Sequence, residues 1–103
     1  MKELIKKYQG KWIAQENGIT IELTFENEQM YFKRYGRDIF QEFQSSTEYI
    51  YVNPLYCFTE CCPILYIRES DKNDDKMRFG ILNGTINFLN TNDVKWESEF
   101  CKS

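Results

Sequence analysis

The sequence predicts an all-β protein: a single small up-and-down antiparallel meander barrel of about eight or nine strands with a short N-terminal helical turn. Three observations carry this. Apolar and polar residues alternate with a period of two along several short segments, which is the signature of strands with one dry face. Two Asn-Gly pairs stand where tight hairpins would turn. Aromatics make up 17% of the 103 residues, a share that suits pleated, well-filled sheets. A chain of this length holds one domain, residues 1–103, around one core.

Residues 2–9 place Leu4, Ile5 and Tyr8 on one face at helical spacing, a short turn that would close one end of the barrel. Residues 12–16 then form the first strand. Asn17-Gly18 follows, and Asn-Gly accepts the positive φ that both central positions of a type I′ hairpin demand. Ile19-Thr20-Ile21-Glu22-Leu23-Thr24-Phe25 alternates without a fault. Breaks are expected at Glu26-Asn27, Tyr35-Gly36 and Gln44-Ser45-Ser46, with Phe32 inside its strand and Tyr31, Lys33 and Tyr35 outside.

The middle of the chain is different. Tyr49 and Tyr51 oppose Ile50 and Val52, and Ile64 and Tyr66 oppose Leu65 and Ile67, so both faces are apolar. The outer face of such strands must be covered, by the N-terminal helix, by residues 53–61, or by another chain. Ser70 to Asp75 is a polar loop. Met77-Arg78-Phe79-Gly80-Ile81 alternates again, Asn83-Gly84 turns the chain into 85–89, and Val94-Lys95-Trp96-Glu97-Ser98-Glu99-Phe100 forms the last strand, with Val94, Trp96 and Phe100 on one side.

Tyr8-Gln9-Gly10-Lys11-Trp12 resembles the Gly-x-Trp signature that opens the first strand of lipocalins after a short helical turn. Residues 19–25, together with Phe79-Gly80-Ile81-Leu82-Asn83-Gly84-Thr85-Ile86, Trp96 and Phe100, are similar to the strand pattern of short bacterial lipocalin-like domains of the calycin type. The resemblance covers most of the chain. It implies a barrel that carries a small apolar ligand, with a basic residue of the last strand packed over the tryptophan; Lys95 and Lys102 are available for that role. The ligand would be lined by Trp12, Ile21, Leu23, Phe25, Phe32, Phe79 and Trp96.

Several chemistries lack their residues. There is no histidine, so no Ser-His or Cys-His nucleophile can form, and the expectation is a protein with no catalytic residues. Cys57, Cys61, Cys62 and Cys101 lack the paired knuckle spacing of a zinc site, and reduced, buried thiols are expected. Asp71, Asp74 and Asp75 lack the glycine and terminal glutamate of a calcium loop. No metal and no cofactor are expected. A net charge of −3 disfavours nucleic acid, and the basic, aromatic run Tyr31-Phe32-Lys33-Arg34-Tyr35-Gly36-Arg37 reads as an ordinary strand.

Residues 1–8 lack the apolar run of a signal peptide. The most apolar stretch, 49–67, carries Asn53, Pro54, Glu60 and Pro63, which a spanning helix tolerates badly. A cytoplasmic protein off the membrane is expected. What remains is binding. An inhibitor or immunity-type protein would block a partner protein, such as a basic toxin, through Glu48, Tyr49, Tyr51, Tyr56, Glu60, Asp71, Asp74 and Asp75, acids that steer a basic partner and tyrosines that suit interfaces. A homodimer would use the same surface. The alternative is the apolar-ligand carrier. The bulky inward set favours a plugged interior and therefore the protein-binding role.

Overall fold

The computed structural model describes residues 6–53, 56–57, 64–82, 89–90 and 94–103. Ten strands occur among them: β1 Gly10–Glu16, β2 Ile19–Glu26, β3 Gln29–Tyr35, β4 Phe40–Ser46, β5 Ile50–Val52, β6 Tyr56–Cys57, β7 Ile64–Glu69, β8 Lys76–Leu82, β9 Leu89–Asn90 and β10 Lys95–Lys102. The all-β class is as expected. Lys6 and Lys7 are helical and precede β1, and a 3-10 turn at Thr47–Tyr49 joins β4 to β5. No helix among the described residues is long and apolar enough to cross a membrane.

Eight strands share one sheet in the order β4-β3-β2-β1-β10-β8-β7-β5, and β6 pairs with β9 in a second sheet. Within that order β4-β3-β2-β1 is an antiparallel meander of consecutive strands. The sheet departs from the expected all-antiparallel meander at one place, because β5 and β7 are parallel. Between them in the chain lies β6, which pairs with β9 in the second sheet and not with β5 or β7. Asn83-Gly84 and most of the strand expected at 85–89 lie outside the described residues. Leu89 itself pairs with Cys57. The break expected at residues 44–46 is not one, since β4 runs through Ser46.

The chain divides into two compact units, one of residues Met1–Glu48 with Phe100–Ser103, the other of Tyr49–Glu99. In the first unit the hairpins follow the turn residues. Asn17 and Gly18 have φ of 52° and 78°, both in the left-handed region that a type I′ turn requires. Asn27, with φ 55°, makes the next turn, and Gln9 clamps it: the Asn27 N–H donates to Gln9 Oε1 at 2.8 Å, and Gln9 Nε2 donates to the Asn27 carbonyl at 3.1 Å.

Register then decides what is buried. Trp12, Leu23, Phe32 and Phe43 form one rung and Phe25 and Met30 another. Trp12, Leu23, Phe25, Met30 and Phe32 are all buried, while Glu22, Lys33 and Glu42 form a rung on the opposite face. Alternating charge in that rung matches cross-strand pairing rules. Lys11 adds an ion pair to Glu22 at 3.3 Å.

Gly18→Val is expected to lower stability by more than about 1 kcal/mol in a denaturation curve, because a β-branched residue resists a φ of 78°. An unchanged curve would contradict the turn. Trp12→Ala is expected to cost about 3–5 kcal/mol by the same measurement, as for other large buried aromatics.

Candidate binding surface

The seven side chains expected to line a ligand divide in the structure. Trp12, Ile21, Leu23, Phe25 and Phe32 lie on one face of the first unit's sheet and are buried. Tyr8 packs on that set, with its ring 5.7 Å from Trp12 and 6.4 Å from Phe25. The indole N–H of Trp12 donates to the Tyr8 carbonyl at 3.0 Å. Lys102 Nζ stands 5.8 Å from the Trp12 ring centroid, so Lys102, and not Lys95, is the basic residue over the tryptophan. Leu23 is 0% exposed and Phe32 2%.

In the second unit Phe79 is buried, but Trp96 is not beside it. A side chain at Gly80 would overlap Val94 Cγ1 and stand 2.9 Å from Trp96 Cε3. Gly80 and Phe79 point to opposite faces of β8, so Trp96 and Val94 lie on the face away from Phe79. Trp96 and Phe79, expected to share one lining, thus stand on opposite faces of β8. Simple alternation along 94–100 could not show it, because the choice of face is made by the gap that Gly80 leaves across the sheet.

That gap organises an aromatic group. Tyr66 is directly opposite Gly80 on β7 and directly opposite Tyr51 on β5. Its ring stacks on Tyr51 at 5.9 Å and meets Trp96 edge-on at 6.4 Å. Tyr66 is fully buried, yet Tyr51 remains 37% exposed. Leu65 and Ile67, on the other face of β7, are also buried. The two-faced strand thus has part of its outer cover from Tyr51 and Trp96, a cover not among the three considered from sequence.

Of the residues expected to meet a partner, Tyr49 is 51% exposed, Glu48 is exposed in the 3-10 turn, and Asp71, Asp74 and Asp75 are exposed on the loop between β7 and β8. That loop is built by local capping, since the Asp75 N–H donates to Asn73 Oδ1 at 2.9 Å and the Lys72 N–H to Ser70 Oγ at 3.3 Å. Tyr56 lies in β6, opposite Asn90. Glu60 lies outside the described residues. The structure brings Tyr51 to Tyr66 and Trp96, and the three aspartates to one loop. Tyr66, the β7 partner of Tyr51, lies five residues before Asp71 in the chain, at most about 17 Å at strand rise.

Sequence reasoning missed two features. Phe40, at 63% exposed, is the largest exposed apolar surface among the described side chains; Lys33 lies 5.7 Å from its ring. The second is Arg68 opposite Arg78 in the β7–β8 ladder. A register was needed to see it. No group of three or more His, Cys, Asp or Glu suited to a metal occurs among the described residues. Cys101 is a free, exposed thiol, whereas burial was expected. It sits next to Lys102 in β10 with its side chain on the face opposite the Trp12 contact.

A groove of about 580 Å³ crosses the polar face of the first unit, lined by Lys11, Glu22, Tyr31, Lys33, Glu42 and Gln44 among others. Its cations and carboxylates alternate, so it has no single sign of charge to offer a polyanion. Compared with known proteins, the chain matches no described family, no curated protein and no solved structure.

Gly80→Val is expected to destabilise by about 1–3 kcal/mol through overpacking against Val94 and Trp96, with a shift in Trp fluorescence. If the wild-type fluorescence and melting temperature survive, Trp96 does not lie over Gly80.

Proposed function

We propose that this chain is a non-enzymatic, cytoplasmic binding protein of the inhibitor or immunity type, which acts by forming a stoichiometric complex with another protein. The observation that carries this is the outer side of β5 and β7. Tyr51 stays 37% exposed on top of a fully buried Tyr66 and an edge-on Trp96. Such a group is held rigid by its own stacking, so little entropy is lost when a partner covers it. Tyrosine and tryptophan are also the residue types that dominate interface energetics.

The exposed loop with Asp71, Asp74 and Asp75 supports a partner with a basic patch, such as a basic toxin, through charge steering. The absence of histidine and the mixed charge of the polar groove favour neither the common nucleophilic chemistries nor nucleic acid.

A lipocalin-like carrier of a small apolar ligand is the second reading, and one observation favours it. Lys102 over Trp12 matches the detail that the lipocalin resemblance implies, a basic residue of the last strand packed on the tryptophan. The close packing against Trp12, Leu23, Phe25 and Phe32 weighs on the other side.

Affinity capture from the source organism, followed by mass spectrometry, separates the two. The expected outcome is one basic protein recovered in fixed stoichiometry, with binding weakened roughly 30-fold or more by Tyr51→Ala, as for an interface hot spot. Recovery of no protein, together with a lipid that co-purifies tightly, would overturn the protein-binding role and support the carrier.

A further inference from the structure

Arg68 and Arg78 are direct partners across the β7–β8 ladder, and both are exposed. Partners in such a position hold their Cβ atoms about 4.5–5.5 Å apart, and like charges there repel. Glu69, Asp71 and Glu99 line the same groove as this pair, but none forms an ion pair with either arginine. Among the described residues, neither guanidinium has an ion pair, hydrogen bond or ring contact. The nearby carboxylates are engaged elsewhere: Glu99 pairs with Lys76 at 3.3 Å, and Glu69 accepts from Asn53 Nδ2 at 3.2 Å. Asp71 lines the same groove of about 390 Å³ as the two arginines without pairing to either.

The next rung on the same face is Tyr66 opposite Gly80, with Trp96 against both. Two guanidiniums without a direct ion-pair partner among the described residues therefore border the aromatic group already described. We infer that the Arg68–Arg78 rung is a carboxylate-binding site within the protein-docking surface, taking an acidic side chain of the partner. The inference rests on the protein-binding role and adds what the partner must present.

The chemistry selects a carboxylate. A guanidinium meets a carboxylate through paired N–H donors, and two of them can grip one carboxylate from both sides or two adjacent ones. An anion between the arginines also lowers their mutual repulsion. Phosphate offers the same oxygens, but a dianion would feel Asp71 and Glu99 in the same groove more strongly than a single negative charge does. A partner with basic residues for the aspartate loop and an acid for this rung would be fixed in register by signs that alternate along one hairpin.

The test uses the full chain and two probes. An acetylated and amidated tetraglutamate peptide, and separately inorganic phosphate, are titrated against 15N-labelled protein while the Arg Nε–H and Trp indole N–H signals are followed. The expected result is saturable movement of Arg68, Arg78 and Trp96 with the peptide, in roughly the millimolar range for so exposed a pair. Arg78→Gln should weaken the peptide about tenfold and leave the melting temperature unchanged or raised, because it removes the repulsion; a merely structural arginine would lower it. Phosphate should give only unsaturated drift. Peptide that leaves these signals unmoved, peptide binding unaffected by Arg78→Gln, or phosphate that saturates the site more tightly than the peptide would each overturn the assignment. Failure of the protein-binding role shows separately, as no protein captured by the wild-type chain.

Discussion

Trp12 is the residue on which the first unit depends. Its ring meets Tyr8 on one side and the Lys102 ammonium on another, its N–H is satisfied by the Tyr8 carbonyl, and its backbone is in register with Leu23 and with Lys102. One side chain therefore ties the helical turn, the first strand, the second strand and the last strand together. A buried indole N–H without an acceptor is costly, so the position of Tyr8 is fixed as firmly as that of the tryptophan. Register follows from this. A slip of one residue would turn Trp12, Leu23, Phe25 and Phe32 to water and bring Glu22 and Lys33 to the core.

The second unit is built on the opposite constraint, a strand that must be dry on both sides. Leu65 and Ile67 meet one apolar face, and Tyr66 needs another. Gly80 provides it by having no side chain, so the Trp96 ring can reach Tyr66 across β8. The parallel pairing of β5 and β7 is slightly weaker per residue than antiparallel pairing, and its end is pinned by Asn53. With φ 53°, Asn53 donates its N–H to the Ile67 carbonyl at 2.7 Å and exchanges side-chain hydrogen bonds with Glu69. This clamp sets how Tyr51 meets Tyr66, and so how much of Tyr51 faces outward.

Core and surface thus have different jobs in the two units. In the first, one face is filled by aromatic and aliphatic side chains and the other is a solvated ladder of Glu22, Lys33 and Glu42. In the second, burial on both faces leaves aromatic edges at the surface, next to two arginines that repel each other and a loop of three aspartates.

The strands of the first unit were legible residue by residue. Ile21, Leu23 and Phe25 are buried and the hairpin turns at Asn17-Gly18, because alternation and positive φ are local properties that side chains and turn chemistry dictate without reference to distant parts of the chain. The same holds for Ile50 inside and Tyr51 outside. The parallel β5–β7 pair, the placement of Trp96 over Gly80 and the Arg68–Arg78 rung were not legible. Each depends on which strands become neighbours and in what register, and these are settled by long-range packing, such as the space left over Gly80. Local chemistry determined where the chain is dry and where it turns; only the tertiary structure decided which faces meet, because contacts between strands far apart in sequence leave no periodic trace along it.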